Sequence, residues 1–388
     1  MMLFDTQTLL NPYPMFQELR VASPVLHVEA LDFWLVFRYD DVKTALTDTE
    51  TFSSENTLLT GFEAKSQKSM VMSDEPAHGR MRSIAQPAFT PRRVAKLEQR
   101  IRELCVEMLD QAAERGDAFD LVEAFSGTFP AIIIAELLGV PRQDIKQFQA
   151  LAADLLLLAN AELVERGKAA EKALAEYYAD LLRERAASGV DAEDVTGDLL
   201  RAAAANPSSI SHDEMIAMGV LFLVAGHETT TNLINNTVRC LSENPEAHAL
   251  AVHDPSRVPL ILEEVLRYRG PVLGVPRRAV KDTMLSGVRI PADSRILAMV
   301  ASANRDPSAF EDPERFIATR SPQNILSFGR GIHKCLGEPL SRLEAKVAIP
   351  MLYERFPHLH VDPSRPIVPN QSPIINGYTS LPVRTCKS

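Results

Sequence analysis

Residues 328–337 read Phe-Gly-Arg-Gly-Ile-His-Lys-Cys-Leu-Gly, and this stretch constrains what the 388-residue chain can fold into more than any other. Gly329 and Gly331 permit backbone conformations and close approaches that a Cβ blocks, so the loop can turn tightly and press against a flat group. Gly337 gives the same freedom just beyond Cys335. A helix is predicted over roughly 336–355, which puts Cys335 at its start. Free N–H groups and the positive end of the helix dipole stabilise a thiolate there. At this chain's own residue frequencies, the pattern F-G-x-G-x-H-x-C-x-G arises by chance in about one chain in three million. The other cysteines, Cys105, Cys240 and Cys386, lie far apart without CxxC spacing, so they read as small buried hydrophobes in a reducing compartment.

A second constraint comes from residues 212–242, HDEMIAMGVLFLVAGHETTTNLINNTVRCLS, which read as one long helix with an apolar centre. Gly226, Glu228 and three consecutive threonines make a poor helix interior, and the glycine alone costs about 0.5–1 kcal/mol. Gly226 leaves space beside a planar cofactor. The Thr229 hydroxyl can bond back to the Ala225 carbonyl, opening the helix slightly. An acid and an alcohol side by side supply what proton delivery requires.

Around these segments the chain reads as one mainly α unit, 1–388, with small β-sheets. Helical periodicity dominates from about 91 to 268, strands are expected within 24–38, 286–301 and 358–384, and no flexible linker divides the chain. A net charge of −10 argues against nucleic-acid binding. The N-terminus lacks a signal-peptide pattern, and the most apolar stretch, 129–140, is too short to span a bilayer. A cytoplasmic protein without a membrane anchor is expected.

The cysteine loop, with Leu340-Ser341-Arg342 after it, resembles the haem-binding signature of the cytochrome P450 superfamily, soluble bacterial type. Ala225-Gly226-His227-Glu228-Thr229-Thr230 is similar to that family's oxygen-activating motif, about 110 residues upstream. Glu264 and Arg267 resemble its structural ion pair, with Arg315 as the matching third member. His78, Arg82, Arg278 and His333 match positions that bind haem propionates, which need cationic donors.

The resemblance implies a single-domain cytochrome P450 fold, with haem b (iron protoporphyrin IX) between the long central helix and the cysteine-loop helix. Cys335 would be the metal ligand. His78, Arg82, Ala225, Gly226, Arg278, Phe328, Gly329, His333 and Gly337 would join it in binding the cofactor. Thr229 would donate to dioxygen and Glu228 would relay protons. The implied reaction inserts one atom of O2 into an apolar small molecule, most simply as a hydroxylation. Electrons would come from a separate ferredoxin and an NAD(P)H-dependent ferredoxin reductase, docking near Arg330, Lys334 and Arg342 of a monomer. A peroxide-driven peroxygenase and a non-catalytic haem ligand sensor are the alternatives. By the same analogy the substrate pocket draws on 58–72, 150–165, Leu221, Ala225, 272–275, Ile374 and Ile375, with Lys65 and Lys68 near its mouth.

Overall fold

The computed structural model describes residues 5–29, 32–55, 68–155, 161–189 and 193–386. A central helix, His212–Glu243, occupies the predicted position. Ser211 starts it. Its hydroxyl accepts from the Glu214 N–H at 3.3 Å, and the Glu214 carboxylate accepts from the Ser211 N–H at 2.7 Å, satisfying two otherwise orphaned donors. Met218, Leu223, Ile234 and Val238 have no exposed surface, because the helix passes through the interior rather than over it. Pro245, which cannot continue a helix, opens the next one, Pro245–His253. The apolar stretch at 129–140 forms the buried helix Phe129–Leu138, packed against the central helix.

The sheets are small. Val25–Val28 and Phe33–Val36 form the expected hairpin. The second of these strands runs parallel to Arg295–Ala298, which pairs antiparallel with Val275–Ala279, and Phe52–Ser53 closes the far edge. Only part of 286–301 is strand, since the chain enters a short helix at Val300–Ala303. The tail contributes His360–Val361, Val368–Pro369, Tyr378–Ser380 and Pro382–Arg384. The cysteine helix runs Glu338–Arg355, with Pro339 in its first turn, where a missing N–H leaves no gap. Among the described residues, no helix is long and apolar enough to cross a membrane.

Glu264 and Arg267 lie on the helix Val258–Arg269 and are almost wholly buried. The guanidinium meets the carboxylate twice, Nε to Oε2 and Nη2 to Oε1, both at 2.8 Å. The third member is Arg320, whose Nε donates to Glu264 Oε1 at 3.1 Å. This corrects the expectation for Arg315: its side chain is 75% exposed beside Asp312, and only its backbone carbonyl accepts from Arg267, at 3.0 Å. The two arginines sit in an irregular segment, so the path of the loop decides which one turns inward.

Candidate active site

One cavity of about 1370 Å3, counting its open mouth, lies between the central helix and the cysteine helix. Phe328, Gly329, His333, Cys335 and Gly337 line it from the cysteine side, and Ala225, Gly226 and Thr229 from the central helix. His78 and Arg82 reach it from the helix Ala77–Ala85.

The loop below the cavity owes its shape to two glycines. Gly329 and Gly331 have φ of 68° and 74°, left-handed values that side chains with a Cβ resist. A Cβ at Gly331 would also stand 2.9 Å from the Leu46 carbonyl oxygen. The turn closes with Cys335 N–H donating to the Phe328 carbonyl at 2.8 Å, and the exposed surface of Cys335 belongs to the cavity wall. Burial pushes its thiol up, and Glu338 acts in the same sense. The N–H groups of Gly337 and Glu338, and Arg82, pull it down. A coordinating metal cation is what would tip such a thiol to thiolate. A Cβ on Gly337 would meet nothing closer than the Cys335 sulfur, at 4.0 Å, so the space over the sulfur is kept clear for a flat ligand.

At one edge of the cavity, His78, Arg82, Arg277 and His333 gather. His78 is buried, its Nδ1 lies 3.1 Å from Glu75 Oε1, and its Nε2 has no partner among the described residues. Its ring lies 4.3 Å from that of His333, whose Nε2 meets Ser54 Oγ at 2.9 Å. Burial, then repulsion from Arg277, His78 and Arg82, pushes the His333 pKa down to about 3. Arg82 donates to the carbonyls of Ile332 and Lys334 at 3.1 and 2.8 Å, fastening its helix to the cysteine loop. An orphaned buried imidazole nitrogen close to the guanidinium groups of Arg82 and Arg277 fits a ligand that carries carboxylates, as haem does.

The arginine at this edge is Arg277, correcting the expectation for Arg278. Arg277 lines the cavity and is 4% exposed; burial lowers its pKa to about 10, with Asp74 opposing. Arg278 lies outside the cavity lining and bonds to Asp293 at 2.8 Å. Strand alternation could have found this, because Arg277 shares a face of Val275–Ala279 with Val275, which also lines the cavity.

On the central helix, Thr229 Oγ1 donates to the Ala225 carbonyl at 3.1 Å, as expected. Thr230 Oγ1 donates to Ser341 Oγ at 3.1 Å, tying this helix to the cysteine helix. Gly226 lines the cavity and has a packing reason besides the expected one. A Cβ there would come 2.5 Å from Ile134 Cγ1, so the glycine also allows helix Phe129–Leu138 to pack closely. Glu228 does not line the cavity. Its Oε1 accepts from Asn370 Nδ2 at 2.8 Å and from Asn232 Nδ2 at 3.3 Å.

Sequence reasoning missed Glu344, one of the residues lining the cavity from the cysteine helix. It is 1% exposed, neither carboxyl oxygen has a partner among the described residues, and burial holds its pKa well above the ordinary carboxylate range. Such a group binds its proton more tightly when folded, so its contribution favours folding at low pH and is lost as pH rises above the ordinary range. Glu344→Gln removes that loss. Its melting temperature is expected to exceed the parent's by a margin that widens from about pH 5 to about pH 8, and a constant margin in a thermal-melt series would refute this.

Other expectations about the surroundings change. Met70, Val71, Leu221 and Val272 line the cavity. Residues 150–155, Ile374 and Ile375 do not; Ile375 instead bridges to Val272. Residues 58–67, with Lys65, and 156–160 lie outside the described residues. Lys68 pairs with Asp213 at 2.9 Å. Of the proposed docking cations, Arg342 meets Glu263 at 2.6 Å and also pairs with Glu338, while Lys334 meets Glu338 at 2.6 Å. Two of the three cations are thus paired with acids, while Arg330 donates to Asn324 Oδ1 at 3.4 Å. Arg92 and Lys96 are exposed at the short helix Pro91–Ala95, which packs on the cysteine helix.

Comparison with known proteins agrees with this geometry. The family model described as Cytochrome P450 matches residues 24–254 and 258–382. The putative cytochrome P450 YjiB of Bacillus subtilis is 37% identical, covering 98% of this chain and 95% of its own. The erythromycin C-12 hydroxylase of Saccharopolyspora erythraea is 38% identical over 90% of this chain and 88% of its own. The crystal structure of CYP109E1 from Bacillus megaterium with testosterone superposes with a TM-score of 0.92, at 32% identity, over 99% of this chain and 100% of that one. A mutant of P450 EryK with erythromycin B gives 0.88 at 36% identity, over 97% and 96% of the two chains. The chain belongs to the cytochrome P450 family and is a haem monooxygenase of that family.

Proposed function

We propose that this enzyme hydroxylates an apolar, ring-bearing small molecule, drawing electrons from a separate ferredoxin and an NAD(P)H-dependent ferredoxin reductase. The observation that carries the reading is that Cys335 and Thr229 open on one cavity from opposite helices, while Met70, Val71, Phe89, Leu221, Phe222 and Val272 make its remaining wall apolar. Such walls bury most of a ligand and leave few groups to orient it. Relatives named for erythromycin hydroxylation, and a neighbour solved with testosterone, support a substrate of that chemistry.

Haem ligated by a thiolate supplies reductive activation of dioxygen. The protein's part is holding and proton handling. Cys335 ligates, the glycines of its loop keep the face above the sulfur open, and His78, Arg82, Arg277 and His333 receive the propionates. Thr229 presents a hydroxyl to the cavity, and Glu228 takes protons from the solvent side and passes them toward that hydroxyl. Arg92 and Lys96, which have no ion pair among the described residues, offer an acidic ferredoxin a positive approach. A single-domain, cytoplasmic monomer suits a reaction with diffusible partners.

The test has two parts. Apolar ring compounds are screened for the optical shift that accompanies displacement of the ligand on haem iron. Product is then measured with the ferredoxin system and with peroxide alone. Glu228→Gln is expected to lower the ferredoxin-driven rate about 10²-fold, and Thr229→Ala to divert reducing equivalents into peroxide. Peroxide-driven turnover that matches the ferredoxin rate in the parent and is unchanged in both variants would replace this reading with a peroxygenase.

A further inference from the structure

Glu228 lies in a polar seam between the central helix and the tail that the proposed function leaves unexplained. Its side chain is 16% exposed, and among the described residues no lysine or arginine is within ion-pair distance. Its one titratable neighbour there is His227, with Nε2 3.9 Å from Oε2. The Leu223 carbonyl lies 2.7 Å from His227 Nδ1. A carbonyl only accepts, so Nδ1 carries the proton, and burial keeps the ring neutral. His227 Nε2 then has no proton to give. Among the described residues Glu228 is therefore held by amides alone: Oε1 takes both, from Asn370 and Asn232, and no donor is within hydrogen-bond distance of Oε2.

The seam continues along the helix face. Asn232 Oδ1 receives the Tyr378 N–H at 3.4 Å, and Asn236 Nδ2 donates to the Asn376 carbonyl at 3.1 Å. The Asn370 N–H donates to the Gly377 carbonyl at 2.9 Å. Gly377 is required, because a Cβ there would stand 1.9 Å from Asn232 Oδ1. Asn236 Oδ1 and Ser372 Oγ are buried and have no partner among the described residues. Buried polar atoms of this kind are satisfied by internal water. Amides cannot pass protons on, but they orient water that can.

We propose that Asn370 is a positioning residue that tethers Glu228 Oε1 in a water-bearing seam, leaving Oε2 to collect a proton there and hand it toward Thr229. One proton enters from seam water, one leaves toward the cavity, and the carboxylate is restored. The proposal rests on the proton-relay role given above to Glu228.

Infrared difference spectroscopy of the full-length, haem-loaded protein tests it, with the Glu228 carboxyl band assigned by its loss in Glu228→Gln. Asn370→Ala removes a donor to Oε1 and Asn370→Asp replaces it with an acceptor, so the band shifts in both. Peroxide released per NAD(P)H consumed is expected to rise about tenfold in Asn370→Ala, and no further in the double variant with Glu228→Gln. Asn370→Asp preserves shape and carries the test if the alanine variant fails to fold. An unshifted band and unchanged peroxide, with Glu228→Gln alone raising peroxide, overturn the tether. Unchanged peroxide in Glu228→Gln overturns the relay role itself, and the tether's function with it.

Discussion

Cys335→Ser is expected to abolish the red-shifted band of the reduced carbon-monoxide complex and to lower turnover on the order of 10³-fold, about 4 kcal/mol of barrier. Serine has nearly the size of cysteine, but its oxygen is a far weaker donor to iron, and the electron push that favours O–O cleavage is lost. The loop itself should persist. Its turn is held by the backbone bond from Cys335 N–H to the Phe328 carbonyl and by the left-handed glycines, none of which needs sulfur. Arg342, stacked 4.5 Å over the Phe328 ring, still anchors the loop to the cysteine helix. Far-ultraviolet circular dichroism and the melting curve of the cofactor-free protein should therefore match the parent's. A variant that keeps both the optical band and turnover would sink the assignment of Cys335 as the iron's ligand.

Arg267→Ala is expected to be the most damaging substitution for stability, at about 3–5 kcal/mol, because it breaks a buried ion pair. Glu264 is 0% exposed, and the change removes one donor from each of its oxygens: Oε1 keeps Arg320 and the Ile317 N–H, and Oε2 is left with none of those described. Arg267 also holds the Asn304, Pro313 and Arg315 carbonyls, so the segment behind the cysteine loop loosens with it. That loosening reaches the site: Asn304 receives the Leu326 N–H at 2.8 Å and donates to Ser327, whose hydroxyl in turn bonds the Leu266 carbonyl. Against a total stability of about 5–15 kcal/mol, the loss is large. Two milder variants grade the claim. Arg320→Ala should cost about 1–3 kcal/mol, and Arg315→Ala no more than about 0.5 kcal/mol. Urea unfolding curves in which Arg315→Ala is the more harmful of the two would contradict the network.

Much of the fold was legible wherever the signal was local. The central helix reads over 212–242 from its apolar centre, and it runs His212–Glu243. The hairpin within 24–38 declared itself by β-branched and aromatic residues on both sides of a turn. The cysteine loop stood out because its glycines, histidine and thiol alternate along one short stretch, Gly329 to Cys335, and each has a conformational or chemical reason to be there. Local reading also misled. Arg342 looked like part of a cationic patch because Glu263, which pairs with it, comes from elsewhere in the chain, although Glu338, which meets both Lys334 and Arg342, is local. Glu228 and Thr229 read as a proton relay from their adjacency; successive helix positions point about 100° apart, so Thr229 lines the cavity while Asn370 draws the acid to the tail.

By itself, then, the sequence determined the chemistry this protein carries: a thiol poised at a helix start, an acid and an alcohol embedded in a buried helix, and basic groups for an anionic cofactor. Short-range sterics and residue type suffice for that. Tertiary structure alone decided which of two adjacent arginines enters the cavity, which of two meander arginines joins Glu264, that Gly226 makes room for Ile134, and that Glu344 is buried without a partner. Those outcomes depend on which side chains converge from distant parts of the chain, and burial and pairing are properties of that convergence.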